Sequence, residues 1–292
     1  MRRRIQKGLR YGMIEGLVLL IAACGGNHQY DRIVAEADSI LHDQNGNHRT
    51  AMQILDSLRP KSSSMTRSQR MRFEMVYADG INKNYIPFTS DSILTEVADY
   101  YQSYGSANEQ MKAYYLLGCV YRDRKNIPMT LKFYQKAIEC ADTANSDCDY
   151  DMLFRIHGQC SEQYALQRLP DREMEELEQM QRFAWLAKDT LNALYSYAYK
   201  KNPYFNMGKM DSVLTVSQKS SELFQKYGFP EEAKSVWNLA IYIWIERGEL
   251  AKARKYMDVF ESRNGLFDEH HNIVHEYVPY YAVQGFYYLE IN

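Results

Sequence analysis

The sequence predicts an all-α protein, and three observations lead to that prediction. Glycine and proline are scarce, at 15 and 7 of 292 residues, which disfavours the many turns of a β-sandwich. Apolar residues recur at helical spacing in segment after segment. Between these segments stand residues that end or begin helices, such as Gly105, Gly228 and Pro230.

The best-defined segment runs from residue 113 to residue 142 and is typical of two helices joined by a short turn. Its apolar and small residues keep a helical phase on both sides of the turn. They are Tyr114, Leu117, Gly118 and Tyr121 in the first helix, and Thr130, Tyr134 and Ala137 in the second. Ser106 to Glu109 is a capping box that begins the first helix.

This pattern resembles the tetratricopeptide repeat (TPR), in which a small residue lets helix A approach helix B closely. Gly118 matches that small residue, whereas Thr130 replaces the usual alanine of helix B. The resemblance implies a right-handed superhelical array of TPR-like helical hairpins, an α-solenoid. Because a single hairpin cannot bury its apolar face, at least three must stack.

Further segments fit the same plan and predict about six hairpins and a final helix within residues 25–292. Four residues are expected at equivalent positions of helix A: Gly118, Gly158, Ile241 and Gly285. Their spacings of 40, 83 and 44 residues predict units longer than the 34-residue consensus. The final helix is apolar at residues 286–290, so we expect a partner or further repeats to cover it.

The first 24 residues are predicted to be a lipoprotein signal peptide. Five positive charges precede an apolar run over residues 17–23, which is too short to span a bilayer. Residues 21–24 resemble the bacterial lipobox, which implies cleavage before Cys24 and lipidation of its thiol. The alternative is an ordinary signal peptide cut nearby.

Charge and anchoring together predict an exported protein on the cell envelope. Without residues 1–24 the chain holds 30 basic and 36 acidic residues, a net charge of -6, so a nucleic-acid partner is not expected. Attachment to the membrane would come from the N-terminal lipid. Gly25, and no aspartate, follows Cys24; by resemblance to enterobacterial sorting this favours the outer membrane.

No pattern of catalytic, cofactor-binding or metal-binding residues emerges, so we expect a protein that is not an enzyme. His271 and His275 have the i, i+4 spacing of a metal pair, but a solvated helix start is the preferred interpretation. The run Glu173, Glu175, Glu176 and Glu178 is interpreted as a wet helix face. His157 is expected to be packed or hydrogen-bonded inside a helix.

Four further cysteines, Cys119, Cys140, Cys148 and Cys160, lack C-x-x-C spacing, so a zinc ribbon or thioredoxin motif is not expected. Export permits a disulfide between Cys119 and Cys140, although buried free thiols are the preferred interpretation. Tyrosine is in clear excess, with 25 residues. We expect most tyrosines to pack between helices and the rest to line a groove for a peptide or a partner helix.

The leading hypothesis is therefore a non-enzymatic, lipid-anchored TPR scaffold that binds a protein or peptide at the bacterial envelope. Two alternatives remain open. One is a glycan-capture lipoprotein beside an outer-membrane transporter, although only Trp185, Trp237 and Trp244 are available for stacking on sugars. The other is the sensor half of an envelope signalling protein.

Overall fold

The computed structural model describes residues 29–43 and 46–291. The described residues are helical, apart from turns, loops and one isolated antiparallel bridge between Phe267 and Ile273. Contacts divide the chain into two compact units, Met1–Cys148 and Asp149–Asn292. Each unit is a stack of antiparallel helical hairpins, so the all-α prediction is confirmed.

Unit 1 contains three hairpins, each with a helix A followed by a helix B. The helices are α1 (29–42), α2 (His48–Leu58), α3 (Arg67–Lys83), α4 (Ser92–Tyr104), α5 (Ala107–Asp123) and α6 (Ile127–Cys140), with a 3-10 turn at Arg59–Ser64. Apolar side chains of α1, α2 and α3, among them Leu41, Leu55 and Phe73, form one buried core.

Unit 2 contains three more hairpins and a last helix. The elements are α7 (Tyr150–Leu166), α8 (Pro170–Leu186), α9 (Thr190–Tyr199), α10 (Lys201–Asn206), α11 (Met210–Lys226), α12 (Pro230–Ser235), α13 (Asn238–Glu246), α14 (Leu250–Glu261), a 3-10 turn at His275–Tyr277 and α15 (Pro279–Ile291). Two of the helices A in unit 2 are interrupted. One consists of α9 and α10, and the other consists of α12 and α13.

Local capping signals in the sequence place most helix starts correctly. The predicted capping box of Ser106 and Glu109 is confirmed, and the side chain of Asp189 caps α9. Asp211 does not cap α11, because α11 begins at Met210 and Asp211 lies in its first turn. The carboxylate of Asp211 instead accepts a hydrogen bond of 2.9 Å from Arg247.

The turns between helix A and helix B set the repeat length. From the second hairpin onward, each of these turns contains one residue with positive φ: Tyr85, Lys125, Arg168, Gly208 and Gly248. Successive positions are 40, 43, 40 and 40 residues apart, so the units exceed the 34-residue consensus, as the sequence predicted.

The close approach at Gly118 explains why helix A and helix B of the third hairpin fit together. A Cβ atom on Gly118 would lie 2.4 Å from the ring of Tyr134, which is fully buried. The predicted equivalence of Gly158 is wrong. Counting seven residues back from each turn places Ser161 in that position, while Gly158 lies three residues earlier against Met180. By the same count, the position holds Ala78, Lys201 and Ile241 in other hairpins.

The substitution Gly118→Ala tests this close approach. The added methyl group pushes into a buried ring, and overpacking of this kind costs about 1 to 3 kcal/mol. Gly285→Ala is the matched control, because no heavy atom lies within 4 Å of its added Cβ. There we expect no loss, or a gain of about 1 kcal/mol from helix propensity. Urea unfolding of both variants measures the difference, and equal effects would contradict the packing argument.

Candidate functional site

Unit 2 contains an aromatic cavity of about 320 Å³. Its walls come from α10, α13, α14 and α15, with Phe205, Tyr242, Phe260, Tyr280 and Phe286 among the lining residues. Neighbouring rings touch edge to face: Phe205 and Tyr242 have centroids 6.0 Å apart, and Tyr242 and Phe286 5.7 Å. These contacts hold the rings without filling the space between them.

Helical phase decides which side chains reach the aromatic cavity. On α13, Asn238 and Tyr242 are four residues apart and therefore share a face, and both line the cavity. Ile241 and Trp244 lie on the other side, where they are buried in the unit 2 core. On α15, Val283 and Phe286 share a face in the same way. The cavity is thus lined mainly by helices A of successive hairpins, and Phe260 of α14 is its contribution from a helix B.

A break in one helix A brings a charged residue to the same region. Pro203 lacks an N–H for the carbonyl of Tyr199, and its ring crowds that carbonyl, so the helix is interrupted at Lys200. Lys201 follows the break. Its Nζ donates to the carbonyl of Val236 at 3.1 Å and to Oδ1 of Asn238 at 3.0 Å. Val236 lies where the next helix A is interrupted in turn.

A second hollow of about 230 Å³ adjoins the aromatic cavity, and we call it the cation-lined cavity. Lys201 and Arg263 contribute its two positive side chains. It shares Asn238, Phe260 and Tyr277 with the aromatic cavity. The sequence analysis missed both cations. The one available signal was Pro203 within a helical pattern, which marks a kink but not what lies beside it.

The two histidines with metal-pair spacing do not share a helix. His271 has a φ of 65° in the loop before the last helix, and its ring stacks on Phe267 with centroids 4.7 Å apart. His275 begins the 3-10 turn. The prediction of a helix start at this cluster is therefore wrong, because the chain folds back through the bridge between Phe267 and Ile273.

The glutamate run does not form one wet face. Glu173 is 4 % exposed and Glu176 accepts or shares the proton of His157 Nδ1 at 2.6 Å, whereas Glu175 and Glu178 are on the surface. Glu173 is the fourth residue of its helix B, as Thr130 is of the preceding helix B. That position faces inward, and both residues are buried. Burial raises the pKa of Glu173. His157 is buried and stacked on Phe183, as expected of a packed histidine.

None of the four cysteines of the described residues forms a disulfide, so the alternative of a Cys119–Cys140 bond is not formed. Cys119 is fully buried, and that burial raises its pKa to about 11, so the thiol stays protonated and unreactive at neutral pH. Cys24, the predicted lipidation site, lies outside the described residues.

Fewer tyrosines are buried between helices than the sequence predicted. Tyrosines buried between helices are Tyr101, Tyr114, Tyr115, Tyr134, Tyr280 and Tyr287. Trp237 and Trp244 are each 4 % exposed and both pack against Tyr256, while Trp185 is on the surface. Two of the three tryptophans therefore serve packing.

Unit 1 contains one cluster with the composition of a metal site. Asp38, His42 and Asp79 place ligand atoms within 4.8 Å of one another. The ammonium of Lys112, however, lies 2.9 Å from Asp79 Oδ2 and 3.2 Å from Asp38 Oδ1. A protein cation already pairs with both carboxylates, so the group is better described as an ion-pair network that joins α1, α3 and α5.

The network depends on Lys112 because Asp79 is only 3 % exposed. Burial alone would raise the pKa of Asp79, but the charges of Lys112, Lys83 and His42 hold that pKa below its ordinary value of 3.8. The stability that ionised Asp79 contributes is thus present above pH 3.8 and is lost as the pH falls through the lowered pKa.

We expect Lys112→Met to lower the free energy of unfolding by about 3 kcal/mol at pH 7, because it leaves Asp79 buried without its counter-charge. The loss should shrink as the pH falls, because Asp79 of the variant, buried without its counter-charge, binds a proton at a higher pH than the wild-type carboxyl does. Arg70→Met, which breaks the exposed pair with Glu96, is the control and should cost less than about 1 kcal/mol. Denaturant unfolding across pH measures both, and equal losses would contradict the argument.

Solved structures place this architecture among known proteins. BtubC (BKLC) of P. vanneervenii is 14% identical, with a TM-score of 0.54 over 80% of this chain and 89% of that one. A Podosopora anserina protein described as a kinesin light chain with nearly identical TPR-like repeats is 12% identical, with a TM-score of 0.52 over 68% and 96%. The chain has a TPR-like fold.

The remaining comparisons add no relative. No protein-family model matches the sequence, and no curated protein matches it either. Within residues 29–43 and 46–291, none of the helices combines the length and the apolarity that a bilayer crossing requires. Any assignment of function to this TPR-like chain therefore has to come from its own surfaces.

Proposed function

We propose that the protein is a TPR-like scaffold whose unit 2 binds a peptide segment of another protein. The observation that carries the proposal is the aromatic cavity on the helix-A side of that unit. Its volume of about 320 Å³ falls at the lower end of the roughly 300–1,000 Å³ of ligand sites, which suits one or two side chains. The histidine pair and the glutamate run that the sequence analysis considered lie on the surface or have structural contacts. This is consistent with a binding module that has no enzymatic role.

The lining chemistry favours a peptide over a small polar metabolite. Phe205, Tyr242 and Phe286 offer apolar ring faces, and Asn238 offers an amide at the edge. Rigid aromatic side chains lose little entropy when they are covered, which is why they dominate the energetics of protein contacts. Phe286 is 46 % exposed, so an incoming apolar side chain removes it from water.

In our proposal, the predicted lipidation site at the N-terminus determines where in the cell the protein binds its partner. Lipidation of Cys24 would tether the scaffold to the cell envelope, with the outer membrane favoured by Gly25 after it. Buried acyl chains contribute about 0.8 kcal/mol for each methylene, so several chains together give stable attachment. The partner would then be another envelope protein, met at the membrane surface.

Glycan capture and a sensor role remain alternatives to protein binding. Trp237 and Trp244, which could stack on a sugar, are buried in the core of unit 2, so no feature of the site favours glycan capture. No described feature favours a sensor role over a scaffold. Specific binding of a glycan in place of a peptide at the aromatic cavity would replace the proposal.

Tyr242→Ser tests the peptide site. A library of peptides is screened against the full chain in detergent, and we expect the selected peptides to bind Tyr242→Ser at least tenfold more weakly, about 1.4 kcal/mol. Tyr85→Ser is the matched control, since Tyr85 is 93 % exposed in unit 1 and should leave the affinity unchanged. Equal binding by both variants, or no selected peptide, would refute the proposed site.

Cys24→Ser tests the anchor. Cells fed labelled palmitate should label the wild-type protein, and the variant, which has no thiol to acylate, should lose the label and leave the membrane fraction. Cys140→Ser is a control because it removes a half-buried thiol that the proposal does not involve. Label that persists in Cys24→Ser would exclude acylation at that residue.

A further inference from the structure

One edge of unit 1 carries a cluster of positive charge. Residues 59–72 hold five basic residues and no acidic one, although the chain without residues 1–24 has 30 basic and 36 acidic residues. The five are Arg59, Lys61, Arg67, Arg70 and Arg72. They belong to the 3-10 turn after α2 and to the first two turns of α3. A basic segment in an otherwise acidic chain is suited to an anionic partner.

Contacts between helices place the N-terminus of α1 on the same edge. Tyr30 Oη lies 3.1 Å from Oγ of Ser64, at the end of the 3-10 turn. Gln69 Nε2 donates to Oδ2 of Asp31 at 3.0 Å, which ties the first turn of α3 to the first turn of α1. Helix α4 returns antiparallel to α3, so its last turn lies there too. We call this surface, formed by the start of α1, the 3-10 turn, the start of α3 and the end of α4, the basic edge.

Two cations of the basic edge lack a carboxylate partner. Lys61 and Arg67 are exposed, and neither takes part in an ion pair within the described part of the chain. Arg70, by contrast, pairs with Glu96 at 2.7 Å. Exposed cations are well solvated and cost the fold little, so Lys61 and Arg67 remain available to an anion outside the chain.

Tyrosine side chains lie beside these cations. Tyr104, the last residue of α4, is 70 % exposed, and its ring centroid lies 5.1 Å from that of Tyr100. Cζ of Arg67 lies 5.6 Å from the ring centroid of Tyr100. A tyrosine has an apolar ring and a polar hydroxyl, so it is suited to a boundary that is apolar on one side and wet on the other. The basic edge therefore combines the two kinds of side chain that favour the surface of a lipid bilayer.

The tether proposed for Cys24 would bring the basic edge, and not the opposite one, to the lipid. Five residue steps separate Cys24 from residue 29, the start of α1, and an extended chain spans at most about 3.6 Å for each step, or about 18 Å. The opposite edge contains the turns at Tyr85 and Lys125. It is a helix length further away, since α3 and α5 each have 17 residues, about 25 Å.

We propose that the basic edge of unit 1 rests on a bilayer that contains anionic phospholipid, with Lys61 and Arg67 at the phosphate groups and Tyr104 at the headgroup boundary. The proposal rests on the lipid anchor proposed above and adds an orientation to it. Acyl chains supply the attachment, and the charges select which edge of unit 1 meets the membrane. Attraction to anionic lipid falls off within a Debye length, about 8 Å at physiological ionic strength, so only an edge close to the bilayer experiences it.

A lipid surface is favoured over an acidic protein as the occupant of the basic edge. The tether holds this edge near the bilayer, so a protein partner would have to displace lipid from it. Between the two cations stand three successive serines, at positions 62–64. Small polar residues of this kind do not form the apolar hot spot on which protein interfaces depend.

A probe on the basic edge tests the orientation. The acylated protein is purified from membranes in detergent and reconstituted into vesicles of phosphatidylcholine, alone or mixed with phosphatidylglycerol, that also contain a phospholipid with a nitroxide headgroup. Ser63→Cys, labelled with the fluorophore NBD in a Cys140→Ser background, places the probe between the two cations, because Ser63 is exposed and the other described cysteines are buried. Tyr85→Cys, labelled in the same way, places the matched control probe at the opposite edge.

We expect the nitroxide lipid to quench the probe at position 63 at least about twofold more in anionic than in neutral vesicles, and to quench the probe at position 85 little in either. The double variant Lys61→Glu, Arg67→Glu should reduce quenching in anionic vesicles to the level of neutral ones. Lys125→Glu is the matched charge change at an exposed lysine of the opposite edge and should have no effect. High salt should act like the double variant, because it screens the charges and leaves the acyl chains inserted.

The outcomes separate this inference from the anchor on which it rests. If the labelled protein floats with neither kind of vesicle, the anchor is wrong and the orientation falls with it. If it floats with both, but the probe at position 63 is quenched no more in anionic than in neutral vesicles, the anchor stands and the orientation is wrong. If the double variant leaves quenching unchanged and instead weakens binding of the peptides selected above, the cations serve a protein partner and the lipid assignment falls.

Discussion

The rest of the molecule depends on the burial that successive helical hairpins provide for one another. In unit 2 a single apolar core runs from Leu194 on α9 through Phe224 on α11 and Trp244 on α13 to Tyr287 on α15. A hairpin taken alone would leave one side of this core in water, at a cost of about 25 cal/mol for each Å² exposed. Stacking therefore places the helices A of unit 2 side by side, and their outward faces together form one surface.

How closely helix A approaches helix B is related to whether helix A is continuous or interrupted. The position seven residues before each turn holds a small side chain in Ala78, Gly118 and Ser161, and these helices run unbroken from cap to cap. At Lys201 and Ile241 the side chain is large, and the helices concerned are interrupted. Both interruptions border the cation-lined cavity, so the departure from the repeat pattern coincides with the hollow.

Much of this architecture is encoded locally and could be predicted from the sequence. A capping box such as Ser106 and Glu109 needs only four residues, and the pairing of Gly118 with Tyr134 lies within one hairpin. The sequence failed where the phase of one hairpin had to be carried to the next. Unit spacings of 40 and 43 residues shift the register by three, which is why Gly158 was assigned the place of Ser161.

The second error of the sequence-based prediction concerns which polar residues are buried, and its cause is related to the first. Glu173 looks like part of an exposed acidic run, yet its phase within the hairpin directs it inward. The candidate site was out of reach for a stronger reason. Lys201 and Arg263 are 62 residues apart, and only the stacking of hairpins brings both to the walls of one cavity. Composition and periodicity do not indicate which residues distant in sequence come together in the fold.

Comparison of two lysines on helices A shows two ways in which the fold accommodates a buried ammonium group. Lys112 lies between Asp38 and Asp79, and those partners raise its pKa against the effect of burial. Lys201 is similarly enclosed, but its neighbours are neutral and its pKa falls. In the first case the fold itself supplies the counter-charge, and the lysine stabilises the structure. In the second the fold supplies only dipoles, so an apolar residue would serve folding as well or better.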